Sequence, residues 1–351
     1  MPGPPLDPRL LAELAANADP ADASPDWPAA SWAVLARAGV TGWSVPATWG
    51  GTDLPAPDRL AGLEQLGAAC LTTTFILSQQ ESAIRILLGS QALHLHDAYL
   101  PGVVRGETYL TVGLSQLTTS RQHRAPALVA RPASGNPGRF RINGEVPWVT
   151  GADGAAGIVV GATLEDGRQL VFLLPAGQPG VLIDPPLPLA ALVGSRTSLL
   201  RCDAVEIGPE WVLAGPGEQV LGKGVGGGPD TSALGLGLAR AAIAYLREES
   251  RQRPDVAAVA DRFEAAHADA LRQLLGLADG AATLESVMAV RATSTRLALR
   301  SAQAALAVAK GTGFVAPHPA RRWARQALFF LVWSCPRPVA ERVLDDLGAG
   351  L

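Results

Sequence analysis

The feature that most restricts the fold of this chain is a strand-like stretch that lies between two long helical regions. From residue 108 to residue 213, short apolar alternations are separated by Gly, Pro and Asn, as in 109–114, 158–161 and 170–174. Alternation with a period of two is typical of half-buried strands. On both sides of this stretch the apolar residues recur with the 3.6-residue period of helices. The order of helices, strands and helices predicts an α+β multidomain chain.

The two changes of pattern predict three domains. We expect an N-terminal helical domain over residues 1–108, a central antiparallel barrel or sandwich over 109–214 and a C-terminal helical bundle over 215–351. Asp7-Pro8 combines a capping side chain with a proline at the first helical position, so a helix is predicted to begin there. Asn143-Gly144 is typical of a tight hairpin turn, so we expect the chain to reverse at that point.

Composition excludes some classes of function. A net charge of -3 and a pI near 6.0 provide no basic footprint for nucleic acid or an anionic membrane. Hydrophobic residues make up 48% of the chain and charged residues 17%, which favours burial between subunits as well as in cores. Cys70, Cys202 and Cys335 have no metal-like spacing and are expected to be reduced thiols. We therefore expect a cytoplasmic protein without a metal site.

Trp148-Val149-Thr150 is the first candidate for a binding site. On a regular strand, residues i and i+2 point the same way, so an aromatic ring and a hydroxyl are expected on one face. A ring beside a hydroxyl suits a flat cofactor that forms hydrogen bonds, such as a flavin. The alternative is a core tryptophan with a β-branched neighbour.

Several loop sequences occur in an order and spacing that resemble the acyl-CoA dehydrogenase family, over most of the chain. The matching segments are Val45-Pro-Ala-Thr-Trp-Gly-Gly51, Leu114-Ser-Gln-Leu117, Ile142-Asn-Gly144, Trp148-Val-Thr150, Ser198 to Val212, Lys310-Gly-Thr-Gly313 and Arg325-Gln-Ala327. The resemblance implies a central β-barrel, a C-terminal four-helix bundle and FAD between the two. It also implies α,β-dehydrogenation of an acyl thioester on CoA or a carrier protein, an electron-transfer partner, and a homodimer or homotetramer.

The resemblance also implies roles for individual residues. Ser115 stands in place of the threonine that contacts the flavin pyrimidine, Trp148 would lie beside the isoalloxazine ring, and Thr150 would form a hydrogen bond near N5. The full set of residues implied to bind the cofactor is Leu114, Ser115, Trp148, Thr150, Gly311 and Gly313.

The chain departs from the family at the position of the catalytic base. Where the family has a glutamate, in "Y-E-G-T", this chain has Ser334, and a serine cannot remove an α-proton without a base of its own. Some members carry the base on the first helix of the bundle, and residues 228–232 offer Asp230 as the only carboxylate there. The family's glycine turn after "T-E-P" is replaced by residues 118–122, where Arg121 is either a contact for a substrate phosphate or a solvated surface residue.

These departures leave two alternatives to the dehydrogenase. The first is a flavin-dependent monooxygenase or oxidase on the same fold, because reduced flavin reacts with O₂ without a glutamate. The second is a catalytically inactive family member that acts as a binding or assembly partner. The retention of Trp148 and Thr150 favours a protein that still binds flavin.

Overall fold

The computed structural model describes residues 5–118, 126–133, 135, 138–222, 228–279 and 282–349. The N-terminal part is helical, as expected. Its six helices are α1 (Pro8–Ala16), α2 (Ala18–Ala23), α3 (Ala29–Arg37), α4 (Ala56–Ala69), α5 (Leu71–Leu88) and α6 (Leu93–Val104).

Two sequence signals near the ends of these helices had different outcomes. The predicted start at Asp7-Pro8 is confirmed, because the Asp7 carboxylate accepts a hydrogen bond of 2.9 Å from the backbone N–H of Arg9. The sequence predicts a helix over 91–100 that stops at Pro101, and this stop is wrong, since α6 continues to Val104. A proline removes one N–H, and the turn beyond it is held by the backbone bond from Arg105 N to the Pro101 carbonyl.

The central part is one sheet, with a short helix after its first strand. Its elements are β1 (Leu110–Gly113), α7 (Ser115–Thr118), β2 (Leu128–Pro132), β3 (Phe140–Val149), β4 (Gly157–Leu164), β5 (Gln169–Pro175), β6 (Val181–Ile183), β7 (Ser198–Ile207) and β8 (Val212–Gly217). The strand order is β6-β7-β3-β2-β4-β5-β8, and β1 also pairs with β4.

The closed antiparallel barrel is not formed. Strands β1 and β2 both run parallel to β4, and the remaining pairs are antiparallel. The sheet is open, with β6 at one end and β8 at the other in the part of the chain that is described. Alternation in the sequence identifies strands and their faces, but it does not specify which strand pairs with which, or in which direction.

Asn143-Gly144 does not form the expected hairpin turn but lies inside the long strand β3. The pairing of β3 with β7 shifts between Ile142 and Gly144, which marks a bulge. Gly144 has a φ of 123°, and a Cβ there would lie 2.1 Å from the Ala127 carbonyl oxygen. The dipeptide therefore serves a bulge with a close backbone approach, for which glycine is also required.

The C-terminal part is helical, as expected, and its described residues form five helices. These are α8 (Pro229–Ser250), α9 (Pro254–Gly276), α10 (Leu284–Ala309), α11 (Pro319–Phe329) and α12 (Arg337–Gly348). Helix α8 packs against α9, α10 and α11, and also against α4 and α5 of the N-terminal part. One core of buried apolar side chains extends through all three parts. No helix in the described part of the chain is both long and apolar enough to cross a membrane.

Candidate functional site

The end of β1 brings Ser115 next to the end of β3. The Ser115 hydroxyl donates a hydrogen bond of 3.1 Å to the carbonyl of Pro147, the residue before Trp148. The adjacent Gln116 side chain donates to the carbonyls of Gly113 and Gly161, at 2.9 and 2.7 Å, and so fixes the start of α7 to the sheet. The predicted neighbours Leu114 and Ser115 therefore lie against the strand that carries Trp148.

Trp148 lies on a second irregularity of β3. The register with β7 shifts between Val146 and Val149, and Trp148 has a φ of 62° in the left-handed region. Its side chain is 54% exposed, whereas Thr150 is 1% exposed. The prediction that the two side chains share one strand face by simple alternation is wrong, because alternation does not continue across a bulge.

Thr150 belongs to a chain of buried hydroxyls. Its Oγ1 lies 3.4 Å from the hydroxyl of Thr197, which lies 3.0 Å from that of Ser195. The backbone carbonyl of Thr150 accepts a hydrogen bond of 3.4 Å from the hydroxyl of Tyr109, whose pKa is raised by burial. At 3.4 Å the contact with Thr197 is long for a hydroxyl pair, so the Thr150 hydroxyl retains capacity to donate to another acceptor.

This set of groups fits a flavin. The half-exposed indole of Trp148 offers an aromatic face, and the Ser115 hydroxyl binds the carbonyl of the preceding residue, Pro147. An isoalloxazine presents both an aromatic surface and a polar pyrimidine edge, which these groups complement.

Gly311 and Gly313 lie apart from this strand end, in a short turn, Lys310–Phe314, that follows α10. The turn packs mainly on α10 and α11. A Cβ at Gly313 would lie 2.5 Å from that of Ala309, whereas nothing lies within 4 Å of a Cβ at Gly311. Gly313 is therefore needed for the turn itself, and a role of either glycine toward the cofactor stays a prediction. Arg121, the predicted substrate contact, lies outside the described residues.

Ser334 lies on a loop that leads from α11 to α12 and is held by a buried arginine. Arg291 of α10 is 0% exposed, and its guanidinium donates to the carbonyls of Phe330 and Trp333 at 3.1 and 2.9 Å. It also donates to the hydroxyl of Thr295. Burial lowers the pKa of Arg291 to about 10, and no carboxylate pairs with it in the described part of the chain. Sequence analysis gave no indication of this residue.

Trp333, the residue that precedes Ser334 in the chain, packs against two other aromatic side chains. Trp333 stacks on Phe329 with ring centroids 5.2 Å apart, and its ring meets that of Phe75 on α5 edge-on at 4.8 Å. Ser334 has a φ of 44°, in the left-handed region. The predicted base position, Ser334, is thus a serine on a turn supported by Arg291 and by packed rings, and its hydroxyl does not accept a proton at neutral pH.

Asp230, the alternative base, is held between two arginines. Its Oδ1 lies 2.9 Å from the Nη1 of Arg59, and its Oδ2 lies 2.7 Å from the Nη1 of Arg85. Burial acts to raise the pKa of Asp230, but the charges of Arg85 and Arg59 outweigh it and hold the pKa below the ordinary value. A carboxylate in this state is a weak base, so the structure does not favour the predicted role.

Glu81 is a second buried carboxyl in the same cluster, and sequence analysis missed it. Its Oε2 accepts a hydrogen bond from the Ser44 hydroxyl and lies 4.0 Å from Arg59, while its Oε1 has no hydrogen-bond partner in the described part of the chain. Burial is the main cause that raises its pKa to about 7; Arg59 opposes this shift and Asp230 adds to it. The available signal was that Glu81 is the only acidic residue of α5.

Comparisons with known proteins support one family. Residues 10–107 match the model of the acyl-CoA dehydrogenase N-terminal domain. The probable acyl-CoA dehydrogenase YngJ of Bacillus subtilis (strain 168) is 25% identical over 258 residues, which are 68% of this chain and 66% of that protein. The chain thus spans slightly less than two thirds of the length of this curated relative.

Solved structures share the fold over nearly the whole chain. Butyryl-CoA dehydrogenase from Megasphaera elsdenii superposes with a TM-score of 0.84 at 18% identity, covering 97% of this chain and 96% of that one. TdsC from Paenibacillus sp. A11-2, solved with FMN bound, superposes with a TM-score of 0.79 at 17% identity, covering 97% and 95%. The matched domain, the curated relative and the shared fold support membership of the acyl-CoA dehydrogenase family.

Proposed function

We propose that this protein is an FAD-dependent oxidoreductase that acts on an acyl thioester, carried on CoA or on a carrier protein. The observation that carries the proposal is the end of β3, where Trp148 is half-exposed at an irregularity in the pairing with β7 and the Ser115 hydroxyl binds the carbonyl of the preceding residue, Pro147. An exposed tryptophan on a left-handed residue is unfavourable for folding alone, so a bound ring that covers it explains its retention. The acyl thioester is inferred from the family.

Each residue has a defined task in this proposal. Trp148 would cover one face of the flavin ring, Ser115 and the backbone at Leu114 would hold its polar edge, and Thr150 would donate it a hydrogen bond. Bound flavin supplies a hydride acceptor. The aromatic group of Phe75, Phe329 and Trp333 excludes water from the space in front of Ser334.

A specific observation supports a second candidate function, that of a flavin-dependent oxidase or monooxygenase. Neither family position for the base offers a free carboxylate, since Ser334 is a serine and Asp230 is paired with Arg59 and Arg85. Loss of a positioned base costs roughly 10²–10⁴-fold in rate. A reaction in which reduced flavin meets O₂ does not require that base.

The experiment is anaerobic titration of the FAD-loaded protein with a series of acyl-CoA thioesters, followed by the flavin absorbance. Bleaching within seconds supports acyl thioester dehydrogenation. Reduction by NAD(P)H or a reductase alone supports the oxidase or monooxygenase. Failure to take up FAD contradicts both and supports an inactive binding or assembly partner. The electron-transfer partner, the homodimer or homotetramer and the cytoplasmic location stay predictions.

A further inference from the structure

Four charged side chains join the N-terminal helices to the first helix of the C-terminal part. Arg59 comes from α4, Glu81 and Arg85 from α5, and Asp230 from the first turn of α8. Arg59, Glu81 and Asp230 are buried, whereas the Arg85 side chain is 45% exposed. The contact between α5 and α8 therefore depends on a charge cluster as well as on apolar packing.

The two acids are not equivalent within this cluster. Both arginines approach Asp230, at 2.9 and 2.7 Å, whereas the nearest cation to Glu81 is Arg59 at 4.0 Å. Glu81 accepts a hydrogen bond from the Ser44 hydroxyl at Oε2, and its Oε1 has no hydrogen-bond partner in the described part of the chain. Among the four buried acids of the described residues, Asp22, Glu64 and Asp230 each have a cation within 3.0 Å. Glu81 is the exception.

Burying a carboxylate without a close cation costs much more than burying the neutral carboxylic acid. We propose that Glu81 is a proton-binding site that controls how firmly α8 docks onto α4 and α5. When Oε1 carries a proton, Arg59 and Arg85 both pair with Asp230, and the first turn of α8 is docked; we call this the closed state. When the proton leaves to solvent, the new charge competes with Asp230 for Arg59, and the first turn of α8 loosens.

The groups that face Glu81 support this assignment. Arg59 approaches from α4, Asp230 from α8, Arg85 from one turn further along α5, and Ser44 from the loop before α4. A pKa of about 7 places the exchange within the physiological range. The inference concerns helix docking and does not depend on the proposed reaction.

The test is amide hydrogen exchange of residues 231–236 in the whole protein, from about pH 5 to about pH 8, corrected for the intrinsic exchange rate. In the native protein we expect the protection of these amides from exchange to fall by roughly a hundredfold across this range. Each unit of pH changes the ratio of closed to open molecules by up to tenfold. In Glu81→Gln we expect protection that does not change with pH. The exposed control Glu107→Gln should retain the native dependence.

A second variant keeps the inference testable if Glu81→Gln does not fold. Ser44→Ala removes a hydrogen bond to the charged carboxylate, so the midpoint of the pH dependence should move upward. Native protection that is independent of pH, a midpoint that is unchanged in Ser44→Ala, or a pH dependence that survives in Glu81→Gln would each overturn the proposal.

Discussion

Asp230 can be tested directly, because the structure gives it a stabilising role in place of a catalytic one. Replacement by Asn keeps the shape and removes the charge that pairs with Arg59 and Arg85. Removing one partner of a fully buried pair costs about 3–5 kcal/mol. The Arg59 side chain is 11% exposed and remains 4.0 Å from Glu81, while Arg85 is 45% exposed and can turn to water. We therefore expect the lower end, about 3 kcal/mol.

The assay is equilibrium unfolding in urea at neutral pH. The free energies of unfolding of the native protein and Asp230→Asn are compared, provided that both fall with urea concentration at the same slope. Asp255→Asn is the matched control, because Asp255 lies in the first turn of α9 but is exposed and pairs with Arg253 at 3.3 Å. An exposed pair at a helix start is worth about 0.5 kcal/mol. We expect the loss in the free energy of unfolding to be several times larger for Asp230→Asn than for Asp255→Asn.

The opposite pattern would refute the reasoning. If Asp230→Asn unfolds like the native protein and loses flavin reduction by acyl thioesters, then Asp230 is the base and the ion pairs are incidental. If both variants lose about 3 kcal/mol, the helix-start charge matters and the buried cluster does not.

Four further outcomes are expected. The pKa of Glu81 is raised from 4.5 to about 7, so folding favours its protonated form and the free energy of unfolding falls as pH rises through that interval. At about 1.36 kcal/mol per unit of pH, the free energy of unfolding should fall by about 3 kcal/mol, and this fall should be missing in Glu81→Gln. Arg291→Met leaves two buried loop carbonyls without a donor and should cost about 2–4 kcal/mol in urea unfolding, against less than about 0.5 for the exposed Arg300→Met. Trp148→Ala should weaken FAD binding by at least about tenfold in a fluorescence titration and leave stability unchanged within about 0.5 kcal/mol, since the side chain is 54% exposed. Ser334→Glu places a carboxylate at the predicted base position and should speed anaerobic bleaching by acyl-CoA by roughly 10²-fold or more.

The helices were predictable because their signals are local. The periodic pattern over 73–88 predicted a helix that the structure shows as Leu71–Leu88, and Asp7-Pro8 marked the first helical residue. The helical pattern of the sequence continues over 319–332, but helix α11 ends earlier, at Phe329. Arg291 binds the carbonyl of the next residue, Phe330. That early end could not be predicted, because its cause lies on another helix.

The candidate site was predictable in part. Ser115 and the Trp148 strand were expected together, and the structure brings them together through Pro147. The exposure of Trp148 follows from a bulge in its pairing with β7, which is a property of the sheet rather than of the local sequence. The state of Asp230 depends on Arg59 and Arg85, which precede it by 171 and 145 residues and meet it only in the fold.

The central claim is that the end of β3 holds a flavin, and the visible spectrum of the protein saturated with FAD tests it most directly. After removal of free FAD, we expect a bound flavin band at about one FAD per chain in the native protein and loss of this band in Trp148→Ala. The control Leu182→Ala, at a similarly exposed site on β6, should retain the band. A native protein that retains no FAD, or a Trp148→Ala variant that retains it as tightly as the native protein, would contradict the account.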